Sequence, residues 1–124
     1  MTKLLPGVYT ARHKDNSIYY RASITYQNKH ISLGSFDTET DAHEAYKEAG
    51  LLLADHTLTI EACPDICHHL GFAKCVVLCN FRDNDVYIPS PIYVRPRLFY
   101  YYFAPGDFFI FSREDLFYYS AHRI

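Results

Sequence analysis

Two groups of residues in this chain have types and spacings that could do chemistry. The first is Cys63, Cys67, His68, His69, Cys75 and Cys79. The order Cys-x3-Cys, seven residues, Cys-x3-Cys lies within loose limits for structural zinc. Against zinc, Cys75 and Cys79 fall in the apolar run CVVLCNF, which reads as a buried strand where cysteine behaves as a small hydrophobe. The four cysteines are therefore read as reduced core thiols, with no metal and no cofactor. A catalytic alternative takes His68 or His69 as a base and Asp83, Asp85 or Glu114 as ligands in a small metal-dependent nuclease. No established nuclease spacing is present, and the chain is expected not to be an enzyme.

The second group is basic and hydroxyl-rich and lies in the first third of the chain. Residues 1–36 hold Lys3, Arg12, Lys14, Arg21 and Lys29 against Asp15, with His13 and His30 in addition, a net of +4. The whole chain has a net charge of -2, so the remainder carries -6. Overall charge argues against a nucleic-acid partner, whereas this asymmetry can mark a nucleic-acid face.

Those residues need a scaffold, and the residue pattern supplies one. Gly7 to His13 reads as a strand, Lys14 to Ser17 as a polar turn, and Ile18 to Tyr26 as a second strand rich in aromatic and β-branched residues. Gln27 and Asn28 turn the chain into a third strand that begins at Lys29. Alternation puts Tyr20, Ala22, Ile24, Tyr26, Ile31 and Leu33 on one face. The other face receives Tyr9, Ala11, His13, Arg21, Ser23, Thr25, His30 and Ser32. After Phe36 the period changes to that of a helix, with Ala42, Ala45, Tyr46, Ala49 and Leu53 on one side. Thr38 and Asp41 have capping-box spacing, so the helix starts near Thr38. Its alanine stripe lets it lie close on the apolar side of the sheet, leaving the polar side to solvent or to a double helix.

GVY, YYRASI and KHISLGSFDTETDAHEAY, with the alanine-rich continuation, resemble the DNA-binding domain of the APETALA / ethylene-response-factor (ERF) family. They are also similar to the amino-terminal sheet domains of some phage-type integrases and homing endonucleases. The resemblance covers about residues 6–54. It implies a three-stranded sheet on one helix, with the outer face of the sheet in the DNA major groove. Carried over by position, the family's DNA-contacting places fall on Tyr9, Ala11, Ser23, Thr25, His30 and Ser32, with Tyr46 near the backbone. Arg12, Lys14, Arg21 and Lys29 would then meet phosphates, and His13 joins them on the same face. Plant members mostly carry arginine or tryptophan at the strand places, and their first hairpin is shorter. The resemblance therefore points to a bacterial or mobile-element relative.

The second half is read as a β-rich, aromatic-rich region. Leu58 to Phe72 would include a short helix broken near Pro64 and ended by Gly71. Cys75 to Phe81 would be a strand, Arg82 to Asp85 a turn, and Val86 to Val94 a returning strand that Pro89 and Pro91 confine to an edge or break. Leu98 to Phe103 and Phe108 to Phe111 flank Pro105-Gly106-Asp107 as a hairpin, and Ser112 with Asp115 would cap a last helical turn, Glu114 to Ser120. Eleven of the 21 residues from Phe99 to Tyr119 are Phe or Tyr, a density that reads as core or as a self-association surface.

These readings give an α+β protein of two regions: an ERF-like DNA-binding domain over 1–56 and an aromatic packing or dimerisation region over 57–124. The expected partner is double-stranded DNA, in transcription regulation or mobile-element function. The alternatives are the front part of a homing-type endonuclease and a protein-interaction module that has lost DNA binding. MTKLLPGVYT has no signal-peptide core and no run of 18 apolar residues occurs, so a cytoplasmic protein without a membrane span is expected.

Overall fold

Strand β1 (Val8–Arg12) pairs antiparallel with β2 (Ile18–Tyr26), which pairs antiparallel with β3 (Lys29–Phe36), in a computed structural model that describes residues 4–112. The β1–β2 turn is closed by Ser17 N–H and Oγ donating to Asp15 Oδ1 at 3.0 and 2.6 Å. Gln27 and Asn28 both take positive φ, 49° and 65°, as a two-residue hairpin turn requires. The register slips between Ala22 and Ser23, because Ala22 faces Gly34 while Ser23 faces Ser32, leaving Leu33 as the extra residue of a bulge.

Helix α1 (Glu39–Ala54) starts where expected, with Thr38 Oγ1 accepting from Asp41 N–H at 3.0 Å. Ala42, Ala45, Ala49, Leu52 and Leu53 are buried against the sheet and the second half of the chain. At the entry to β1, Gly7 sits at φ +78°, and a Cβ there would lie 2.1 Å from the Tyr46 ring. Glycine is therefore required both by conformation and by close approach.

The next stretch departs from the sequence reading. A 3₁₀ turn (Ile60–Ala62) runs into the one-turn helix α2 (Cys63–Ile66), and Pro64 sits in its first turn instead of breaking it. Gly71 caps the start of α3 (Phe72–Asn84) and does not end a helix. Cys75 to Phe81, expected as a strand, lies inside α3, and Arg82 to Asn84 continue that helix where a turn was expected. Every residue from Cys75 to Arg82 is buried, so α3 has no polar stripe over those turns. The returning strand is reduced to β4 (Ile92–Val94), which begins after Pro91 on the edge of the second sheet. The hairpin is present as β5 (Leu98–Ala104) and β6 (Asp107–Ser112), in the order β4-β5-β6. The capped turn at 114–120 lies outside the described residues.

The architecture is α+β, two three-stranded antiparallel sheets with helices between them in sequence. Helix α1 packs on β1–β3 and on α3, and α3 packs on β4 and β5. One buried cluster runs from Val8 through the α1 alanines and the four cysteines to Tyr102. Buried polar groups join the layers. Arg82 Nη1 donates to Leu52 O and Asp55 O at 2.9 and 3.0 Å, closing the end of α1, while its Nε and Nη2 hold both oxygens of Asp83. Burial alone would raise the Asp83 carboxyl, but Arg82 and Tyr93 Oη outweigh it and hold it below its ordinary range. Fully buried Asn80 accepts from Val94 N–H at 2.9 Å and donates to Val86 O at 3.1 Å, pinning the second sheet to α3. Among the described residues, no helix is long and apolar enough to cross a membrane.

Candidate nucleic-acid interface

The three strands position the face that α1 does not cover. Val8, Ala22, Ile31 and Leu33 are buried, and Tyr20, Ile24, Tyr26 and Phe36 pack on the same core, as alternation requires. The opposite register positions set Arg21 between Tyr9 and Ser35, Ser23 beside Ser32, and Thr25 beside His30. Tyr9, Arg12, His13, Lys14, Arg21, Thr25, Lys29, His30 and Ser32 are exposed, and Ala11 is half-buried. Four formal positive charges and two imidazoles thus lie on or at the rim of one narrow sheet.

Two expected site residues are placed differently. Ser23 is only 7% exposed, and its Oγ has no hydrogen-bond partner among the described residues. A short side chain on the middle strand, at the register slip, lies below its longer neighbours and is not presented to a ligand. Tyr46 lies against Gly7 and beside His43 on the helix side, away from the outer face. His43 Nδ1–H donates to Pro6 O at 3.0 Å, so this corner serves to hold the start of β1.

Several charges on the face already have neighbours that fix their position. Arg12 Nη1 donates to Asn16 O and Oδ1 at 3.2 and 3.3 Å, leaving the rest of the guanidinium fork available. Arg21 lies 5.9 Å from the Tyr19 ring centroid, and the Tyr19 ring stacks on His13 at 4.3 Å. Tyr19 was missed in the sequence reading, although stepping back two residues from Arg21 along the strand reaches it. Lys29 Nζ lies 4.6 Å from the Tyr87 ring centroid, and Gln27 Nε2 donates to Asp85 Oδ1, so the β2–β3 turn leans on the segment after α3.

Among the described residues, those of the catalytic alternative are not brought together. His69 directs Nδ1 to Glu48 at 2.9 Å and Nε2 to Asp41 at 3.5 Å, both on α1. Asp83 is held by Arg82 and Tyr93, Asp85 takes Gln27, and Glu114 lies outside the described residues. Glu48 has a structural task that the sequence did not announce: its carboxylate accepts from the N–H groups of His68, His69 and Leu70 at 3.2, 3.0 and 2.8 Å. Burial would raise the Glu48 carboxyl, but these bonds and the His69 ring hold it below its ordinary range. His69 is raised in turn, chiefly by its bond to Glu48.

Between α2 and α3 the four cysteines converge, all free and buried. The sulphurs of Cys63, Cys67 and Cys75 lie within 4.8 Å of one another. Cys75 and Cys79 are buried as the sequence suggested, but one turn apart on α3 and not on a strand. An open cleft of about 420 Å³ adjoins this cluster at Cys79 and is bordered by His56, Glu61, Arg82, Asp83, Tyr93 and Arg95 among others. On the far hairpin, Phe103, Phe109, Ile110 and Phe111 are exposed. In comparisons with known proteins, the chain matches no family profile, no curated protein and no solved structure.

Proposed function

We propose that the chain binds duplex DNA by laying the outer face of β1–β3 in the major groove, and that it acts in transcription regulation or mobile-element function without catalysis of its own. The observation that carries this reading is the exposed set Tyr9, His13, Arg21, Thr25, His30 and Ser32 on the outer sheet face, with Arg12, Lys14 and Lys29 exposed at the strand ends and turn that border it. Dimensions support it. Three strands spaced by about 4.8 Å measure about 10 Å between the outer two, and the major groove is about 12 Å wide. Chemistry supports it as well, because hydroxyls and imidazoles can meet base edges while Arg12, Lys14, Arg21 and Lys29 meet phosphates at the rim. The resemblance of residues 6–54 to the ERF-type domain points the same way.

Arginine is the strongest reader of guanine, and Arg21 is the one arginine near the middle of the face. Most of the affinity is therefore assigned to phosphate contacts, with modest sequence preference. If about four phosphates are neutralised, the logarithm of affinity falls with that of salt concentration at a slope near -3.6, about a 150-fold loss between about 50 and 200 mM. A mobility-shift titration of the full chain on mixed duplexes across this range tests the reading. Absence of any duplex complex at about 50 mM salt would refute it.

A further inference from the structure

All four cysteines of the chain meet at one place in the core, brought there by two separate segments. Cys63 opens α2 and Cys67 follows its last residue, while Cys75 and Cys79 stand one turn apart on α3. Spacing of four residues puts both members of each pair on one face of a helical turn. Exposure is 1% for Cys63, 9% for Cys67, 1% for Cys75 and 0% for Cys79. Hydrophobic packing alone gives no reason for one residue type to gather in this way. Nor does α2 hold itself, since a helix of four residues lies far below the length at which helices persist without outside support.

We infer that Cys63, Cys67, Cys75 and Cys79 form a structural zinc site that staples α2 and the loop before it to α3. Tetrahedral zinc with bonds of about 2.3 Å holds its sulphurs about 3.8 Å apart. Three of the four sulphurs already lie within 4.8 Å of one another, so closing them on a single ion takes displacements of about an ångström or less. Cys79 interacts with Cys63 and supplies the fourth thiolate. An iron–sulphur cluster holds its cysteine sulphurs farther apart, and hard cations such as magnesium prefer oxygen, so a single tetrahedral ion fits the donors and their spacing, and zinc, which has no redox chemistry, suits a structural role. Binding exchanges four S–H protons for one Zn²⁺, releasing four protons and leaving a centre of net charge -2. Four thiolates fill the tetrahedral shell and leave no open position for a substrate, which makes the site structural and not catalytic.

The full chain, purified without chelators or an immobilised-metal column, is predicted to contain about one zinc per molecule by elemental mass spectrometry. Cobalt exchanged into it should give thiolate charge-transfer absorption and the intense visible bands of a tetrahedral ion. Removal of zinc by a competing chelator should lower the melting temperature by about 10 °C or more, and restoring zinc should recover it. Cys79→Ser, at the ligand outside the closest trio, should weaken zinc retention by at least about tenfold. The wild-type metal content and the cobalt spectrum do not depend on any variant folding. A folded, metal-free protein whose melting is unaffected by zinc would overturn the inference. So would iron with acid-labile sulphide, a native disulfide among these four residues, or a cobalt spectrum typical of oxygen and nitrogen ligands.

Discussion

Glu48 is the side chain on which α1 and the cysteine-bearing loop are joined, and its removal has a cost that can be worked from geometry. Its carboxylate is 12% exposed and accepts from three consecutive backbone N–H groups and the His69 ring. A hydrogen bond to a charged group contributes about 1.5 kcal/mol at the low end. Of the three amide donors, His68 lies at an exposed position and regains water, His69 is half-buried, and Leu70 is buried and would be left unpaired. Counting the two poorly rehydrated amides and the ring contact at a discount, Glu48→Ala should destabilise the fold by about 3 kcal/mol. Glu48→Gln, which keeps one acceptor but brings an N–H₂ against a donor, should cost about 2 kcal/mol. Urea unfolding followed by far-ultraviolet dichroism measures both. The carboxyl is held below its ordinary 4.5, so its contribution is complete above that pH and fades as pH falls through the lowered folded value. The stability gap between wild type and Glu48→Gln should therefore widen as pH falls through the raised His69 value toward about 6, where the imidazolium bound to Glu48 is fully formed, and shrink below about 4.5 as Glu48 takes up a proton. A Glu48→Ala protein within about 0.5 kcal/mol of wild type would show that the loop does not depend on this carboxylate.

Gly7→Ala should destabilise by about 3 kcal/mol, combining a non-glycine residue at φ +78° with a Cβ placed 2.1 Å from the Tyr46 ring, and a thermal melt checks it. Asn80→Ala should cost about 3 kcal/mol, because Val94 N–H and Val86 O both lose their partner. Faster hydrogen exchange at the Val94 amide is the local readout. Replacing Arg21 and Lys29 together by glutamate should leave the dichroism spectrum unchanged, since both are exposed, while the salt slope of duplex binding falls from about -3.6 to about -1.8.

Local signals were strong in the first half, where each element advertises one polar and one apolar side. Ala22, Ile31 and Leu33 mark the buried face of the strands, Gln27-Asn28 marks the tight turn, and Thr38 marks the start of α1. The face carrying Arg21, Thr25 and His30 was legible for the same reason. Ser23 was not, because a bulge is a property of the pairing between strands and leaves no trace in the alternation of one of them. Helix α3 was misread because burial on every side from Cys75 to Arg82 erases the helical period, and Val76, Val77 and Leu78 then look like strand. The meeting of Cys63 and Cys67 with Cys75 and Cys79 follows only once that segment is helical. Glu48 gave no local cue, since its partners are backbone amides twenty to twenty-two residues away.

The most direct test of the proposed function is to follow backbone amide resonances of the isotope-labelled full chain while adding duplex DNA at low salt. The account predicts that shifts concentrate at Tyr9, Arg21, Thr25, His30 and Ser32, with β5 and β6 little affected. Shifts confined to the second sheet, or no shift at all with the fold intact, would contradict it.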